Sequence, residues 1–291
     1  MNLKKLIKIF FDLGKIRITV FVAFSTSIGY VLYSGKIDLN IIPPLLGVFF
    51  LAVGSAALNH LQEYKFDKIM ARTQNRPLPS NLVTKKFVLI FVIFFVVLGS
   101  LILYLVNISS LILGLITLFW YNLVYTPLKK IIAMAVVPGS LIGALPPLIG
   151  WVSSGGDIFN PIGLSLALTF FIWQVPHFWL LLLLFDKEYK EAGYPTLTEK
   201  FNKLQLKRIS FIWIIALFVN SLLIPFFYFP KNLISVSIII VCSIWLLTSN
   251  ISLLKDSFDK TQIKKNFLNL NLYILFVVFT LFIDKLFLQS I

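Results

Sequence analysis

Apolar runs alternate with short polar breaks along the whole chain, and nine of the runs can cross a bilayer: 17–34, 41–61, 86–106, 108–127, 132–152, 161–184, 208–229, 232–252 and 266–289. A spanning helix takes about 20 residues. Backbone that crosses lipid as anything other than a helix or a closed barrel leaves its N–H and C=O groups unpaired. The pattern predicts an all-α, polytopic membrane protein with nine transmembrane helices. The break at 106–108, marked by Asn107 alone, is the narrowest. No stretch remains for a separate soluble domain, so residues 1–291 read as one membrane-embedded unit. Residues 1–16 are basic and amphipathic with no small-residue cleavage site after them, and are expected to be retained and to lie on the membrane surface.

Charge orients this array. Counted on alternate connections, one side receives 23 of the 26 Lys and Arg residues: Lys4, Lys5, Lys8, Lys15 and Arg17; Lys65, Lys68, Arg72, Arg76, Lys85 and Lys86; Lys129 and Lys130; Lys187, Lys190, Lys200, Lys203, Lys207 and Arg208; Lys255, Lys260, Lys264 and Lys265. Only Lys36, Lys231 and Lys285 are left for the other. Such a bias matches the positive-inside rule and puts the N-terminus inside and the C-terminus outside.

Composition excludes other classes. The chain is 58% hydrophobic and 13% charged, against roughly 25% charged in soluble domains. The net charge of +14 sits in short loops and forms no basic, aromatic-studded face, so no nucleic-acid partner is expected. The single Cys242 lies in an apolar run and offers neither a disulfide nor a thiolate metal site.

Two inner connections are long, and between them they hold half of the 12 acidic residues. The first reads NHLQEYKFDKIMARTQNRPLPS. Asn59, Glu63 and Asp67 are spaced i, i+4, i+8, so a helix reaching Asp67 would stack them on one face about 6 Å apart. Such oxygens suit Mg²⁺, which takes one or two carboxylates and completes its shell with water and phosphate oxygens. Arg72 and Arg76 then offer forked donors to a diphosphate. The second connection, FDKEYKEAGYPTLTEKF, holds Asp186, Glu188, Glu191 and Glu199, with Asp186 and Glu188 nearest the membrane. Two acidic patches on one side of the bilayer would hold two Mg²⁺ ions on one diphosphate. A third inner element, YNLVYTPLKK, brings Tyr121, Asn122, Tyr125, Lys129 and Lys130; its lysines serve either topology or phosphate binding. The alternative for every one of these charges is an ordinary solvated loop. The two halves, each a helix pair followed by an acidic inner loop, also hint at an internal repeat.

The motifs N-x-x-x-E-x-x-x-D-x-x-M-x-R-T-x-x-R-P-L, YTPLKK, GALPPLIGW (143–151), WQVPHFW (173–179) and KEYxxAG (187–193) resemble, in order, the protoheme IX farnesyltransferases, or haem O synthases, of the UbiA-type intramembrane prenyltransferase superfamily. The resemblance covers roughly residues 15–290. It implies helices around a central cavity and Mg²⁺-dependent ionisation of farnesyl diphosphate. A haem B vinyl group then attacks, and water addition gives haem O. On that resemblance Asn59, Glu63 and Asp67 form the first metal motif, Asp186 and Glu188 stand at the second, and Arg72, Arg76 and Lys129 contact diphosphate. Asn122, Tyr125, Trp173, His177 and Tyr189 are further substrate-binding candidates. The chain departs from the family pattern at Glu63, where Asp is more typical, at Lys187-Glu188-Tyr189 for Asp-Asp-Tyr, and at GYPTLTEKF for G-I-P-M-L-P. Haem B enters as substrate rather than prosthetic group, and haem A synthase or a terminal oxidase is the expected recipient of the product.

His177 lies in an otherwise apolar helix, where an ionisable side chain is costly and usually functional; it reads either as a haem-facing group or as a packing histidine. His60, beside Asn59, is a weaker candidate of the same kind. Trp173, Phe178, Trp179 and Tyr125 could shield a carbocation, and Pro146-Pro147 with Gly143 and Gly150 would kink the fifth helix and make room for a flat macrocycle. Two competing functions remain: prenylation of a hydroxybenzoate- or naphthoate-type quinone precursor, and secondary transport. A transporter predicts charges at mid-membrane, whereas these sit at the inner surface.

Overall fold

The computed structural model describes residues 3–228, 232–257 and 259–288. Lys231, one of the three expected outer cations, and the predicted span ends at 229 and 289 lie outside them. A short surface helix α1 (Leu3–Leu13) precedes α2 (Ile16–Ser34), α3 (Ile42–Asp67), α4 (Lys85–Val106), α5 (Ile108–Phe119), α6 (Leu141–Ser153), α7 (Pro161–Glu191), α8 (Lys203–Tyr228), α9 (Leu233–Asn250) and α10 (Lys260–Ile283). Among the described residues nine helices are long and apolar enough to cross a membrane, and no strand occurs. The expected spans agree within a few residues at most ends. The exceptions are longer helices: α3 runs on to Asp67, α7 runs to Glu191, α8 starts at Lys203 and α10 starts at Lys260. The fourth and fifth spans continue beyond α5 to Leu128 and begin before α6 at Ala133 through shorter turns.

Local chemistry explains the punctuation. Asn107 breaks α4 from α5 because its backbone is extended while its side-chain oxygen accepts the Ser110 N–H at 2.8 Å and its amide donates to Val152 O at 2.9 Å. That is an N-cap that also ties the break to α6. After Phe119 the helix widens to a π-turn over Trp120–Tyr125. Pro127, which lacks an N–H and crowds the preceding turn, follows immediately. Inside α7 the backbone leaves helical geometry at Phe185 (φ −118°, ψ 16°), and the helix ends at Gly193 with φ +79°, a left-handed stop that glycine adopts freely.

Helix association in lipid relies on close backbone approach rather than hydrophobic exclusion. A Cβ on Gly29 of α2 would lie 1.7 Å from Pro147 O of α6, and one on Gly150 would lie 1.8 Å from Thr26 O. Pro147 thus serves the α2–α6 crossing, whereas Pro146 and Gly143 line a cavity, and α6 stays one helix through both prolines. Gly150 packs against α2 instead of widening the cavity as its motif had led us to expect. Large apolar side chains such as Phe21, Leu105 and Ile234 are exposed around the outside, as a lipid-facing surface requires.

Candidate active site

Helices α2, α3, α5, α6 and α7, with the segment after α7, surround a cavity of about 390 Å³, within the size range of small-molecule sites. Its mouth carries all its charged lining residues: Lys15, Glu63, Asp67, Arg72, Arg76 and Lys129. Its interior is apolar, formed by residues such as Val48, Leu51, Leu118, Ile142, Pro146 and Phe178. Four cations against two carboxylates leave the mouth positive, the sign that draws in a diphosphate.

Because α3 continues past residue 61, Asn59, Glu63 and Asp67 do stack along one helix, and all three are buried. Each is held by a different cation. Lys15 Nζ donates to Asn59 Oδ1 at 2.7 Å, Lys129 Nζ lies 2.6 Å from Glu63 Oε1, and Arg76 Nη1 spans both Asp67 oxygens at 2.9 and 3.0 Å. Asn59 is oriented by donating to Thr126 Oγ1 at 3.2 Å. Burial, with Arg76 and Lys129 next, lowers the Lys15 ammonium to about 7. Burial also disfavours the charge on Lys129, but Glu63 outweighs it and holds that ammonium above its ordinary range. The oxygen-only donor set on α3 fits Mg²⁺, with positions left for phosphate oxygens.

The π-turn puts Tyr121 and Tyr125 side by side on the cavity wall, ring centroids 6.0 Å apart. It turns Asn122 the other way. Asn122 is fully buried, accepts from Ser55 Oγ at 2.6 Å and donates to Ser55 O and Gln62 Oε1. It is a strut between the π-turn and α3.

The second acidic patch does not face the site. Past the Phe185 kink, Asp186 is engaged by Thr198 and, at 3.1 Å, by Lys190. Glu188 Oε2 is buried without a hydrogen-bond partner, and neither residue lines the cavity. Among the described residues no group of three or more His, Cys, Asp or Glu could hold a metal. Tyr189 and Tyr194 represent this segment at the mouth instead. Arg72 is exposed there, with Nη2 3.5 Å from Tyr189 Oη and its guanidinium 5.8 Å from the Phe185 ring.

Three further candidates point elsewhere. His177 bonds through Nδ1 to Asn271 Oδ1 of α10 at 2.8 Å, between the rings of Trp173 and Phe267, each 4.8 Å away. Neither His177 nor Trp173 lines the cavity, because one helical turn carries both onto the α10 side of α7. His60 is buried behind the site, Nδ1 3.8 Å from Asp67 Oδ2. Sequence reasoning missed Lys15, Tyr194 and Gln174. Lys15 had been counted only as a topology charge. Gln174 Oε1 is buried in the cavity wall without a partner, and a Cβ on Gly143 would lie 2.5 Å from it, so the glycine makes room for the amide.

Residues 22–275 match the model of the UbiA prenyltransferase family. The chain belongs to that family. It is 31% identical over 270 residues to the protoheme IX farnesyltransferase of Flavobacterium psychrophilum, covering 89% of this chain and 88% of that one. With the protoheme IX farnesyltransferase of Cytophaga hutchinsonii it shares 40% over 194 residues, 66% of this chain and 68% of the other. Among solved structures, a digeranylgeranylglyceryl phosphate synthase superposes with a TM-score of 0.79 at 20% identity, over 96% of this chain and 98% of that one. A UbiA homologue from Archaeoglobus fulgidus bound to GPP and Mg²⁺ does so at 0.61 and 14%, over 94% and 99%. At those identities the structures speak for the fold; the family itself makes the protein a membrane prenyltransferase.

Proposed function

We propose that the protein transfers a farnesyl group from farnesyl diphosphate to a vinyl group of haem B, giving haem O, in a reaction that depends on Mg²⁺. The observation that carries this reading is the cavity whose mouth gathers two carboxylates and four cations and whose interior is apolar. It has a place for a diphosphate and, directly behind it, one for a prenyl chain. The choice of haem B as acceptor draws its support from the relatives named above and from the 143–151 and 173–179 motifs.

Asn59, Glu63 and Asp67 would hold the metal, and the chemistry Mg²⁺ supplies there is neutralisation of the diphosphate. Arg72, Arg76, Lys129 and Lys15 take up the charge that develops as the C–O bond breaks and the diphosphate leaves with the bonding pair. Tyr121 and Tyr125 present their rings to the adjacent wall, where they shield an allylic cation by cation–π attraction and keep water away from it. The vinyl carbon supplies the electron pair for the new C–C bond, and water then adds at the carbon left electron-poor, losing one proton. The charge asymmetry of the loops supports a mouth on the cytoplasmic side of the cell membrane, N-terminus in and C-terminus out, and a chain that acts as one unit. Haem O would leave into lipid, toward a haem A synthase or a terminal oxidase.

Purified protein supplied with farnesyl diphosphate, Mg²⁺ and haem B is expected to release diphosphate and form haem O, and chelation of Mg²⁺ to stop both. Alkylation of a hydroxybenzoate or naphthoate in place of haem B would overturn the acceptor assignment.

A further inference from the structure

Two of the positions at which this chain departs from the pattern it resembles meet in space. Tyr194, in the GYPTLTEKF segment, donates its hydroxyl to Glu63 Oε1 at 2.9 Å, across 131 positions of sequence. The same oxygen takes Lys129 at 2.6 Å, so Oε1 is doubly engaged. Among the described residues, the hydrogen bond and the ion pair of Glu63 both fall on Oε1 and none falls on Oε2. Tyr194 is buried, with its ring 4.6 Å from Phe66 and packed with Met70 and Ala192. It is the point at which the segment after α7 is fastened to the metal-motif helix. That segment lies beyond the kink at Phe185 and contains Gly193, whose φ is +79° and where an added Cβ would meet no atom within 4 Å. Glu63 carries one methylene more than aspartate, which brings its carboxylate closer to the hydroxyl.

We propose that Tyr194 is a positioning residue for the cation–diphosphate site. It holds Glu63 by one oxygen so that the other stays available as a cation ligand, and through the same bond it fastens the 186–201 segment over the mouth. The inference rests on the diphosphate-handling reading above. Loading of the site and closure of the segment are then one event, because a carboxylate fixed by Tyr194 is both the better ligand and the anchor of the cover.

The test uses the full-length protein in detergent or nanodiscs. Hydrogen exchange of residues 186–201 and binding of Mg²⁺ with inorganic diphosphate are measured for the wild type, Tyr194→Phe, Glu63→Asp and the double variant. Tyr194→Phe keeps the ring packing and removes only the hydroxyl. It is expected to weaken Mg²⁺ binding about 5- to 10-fold, roughly one tenfold step or about 1.4 kcal/mol, and to speed exchange across 186–201. Added to Glu63→Asp, whose shorter arm no longer reaches, it should change little further. In turnover, the apparent KM for Mg²⁺ should rise more than kcat falls. Unchanged affinity and protection in Tyr194→Phe, or additive effects in the double variant, would overturn the proposal. A wild type that binds neither Mg²⁺ nor diphosphate would instead overturn the functional reading beneath it.

Discussion

The two acid-bearing segments, 59–79 and 185–201, both mix carboxylates with cations and have opposite fates. In the first, Asn59, Glu63 and Asp67 stay on an unbroken helix, so a spacing of four residues becomes a shared face and the oxygens arrive at the cavity together. In the second, the acids lie beyond a residue whose backbone leaves the helix. Asp186 is turned to Lys190 and Thr198, and tyrosines take the cavity positions. Acidic residues near a membrane surface become a site only when a rigid element delivers them to the same place.

The sharpest way to break this contrast is to disable the first segment. Asp67→Asn, or Arg76→Ala, is expected to cut diphosphate release at least 100-fold, about 2.7 kcal/mol of barrier, with circular dichroism unchanged. Activity within a factor of three in both would remove this segment from the mechanism. Next in size is Lys129→Met. It strips Glu63 of its ion pair and the diphosphate of a cation, and a 10- to 100-fold loss in kcat/KM is expected. Because the partner carboxylate is buried, some loss of thermal stability should accompany it, on the order of 1–3 kcal/mol. The smallest effect belongs to the second segment: Asp186→Asn, which keeps the Thr198 contact possible, is expected to stay within about threefold of wild-type turnover. A loss as deep as that of Asp67→Asn would mean that the segment swings its acids into the cavity during catalysis.

How far the site could be read in advance follows the same division. The nine spans and the α3 motif rest on apolar runs and on helical period, both of which are local and survive any tertiary arrangement. Asn122 is a substrate-binding candidate from the YNLVYTPLKK element, and His177, ionisable in an apolar helix, reads either as a haem-facing group or as a packing histidine. They prove to be internal partners, Asn122 for Ser55 and Gln62 and His177 for Asn271. A polar side chain in lipid must be satisfied by something, and sequence does not say whether that is a substrate or a neighbouring helix. Lys15 looked like one more inner-surface cation. Its role depends on the left-handed backbone at its own position, φ 47° between α1 and α2, which aims it at Asn59.

By itself, then, the sequence determined that nine stretches are long and apolar enough to cross a membrane and that one helix end carries a row of oxygen ligands with arginines after it. Only the tertiary structure decided that Lys15 and Lys129 close on that row, that the second acidic patch faces elsewhere, and that Tyr194 reaches Glu63. The first set depends on residues within a few turns of one another. The second depends on a kink, a π-turn and contacts between helices far apart in sequence, which no local period encodes.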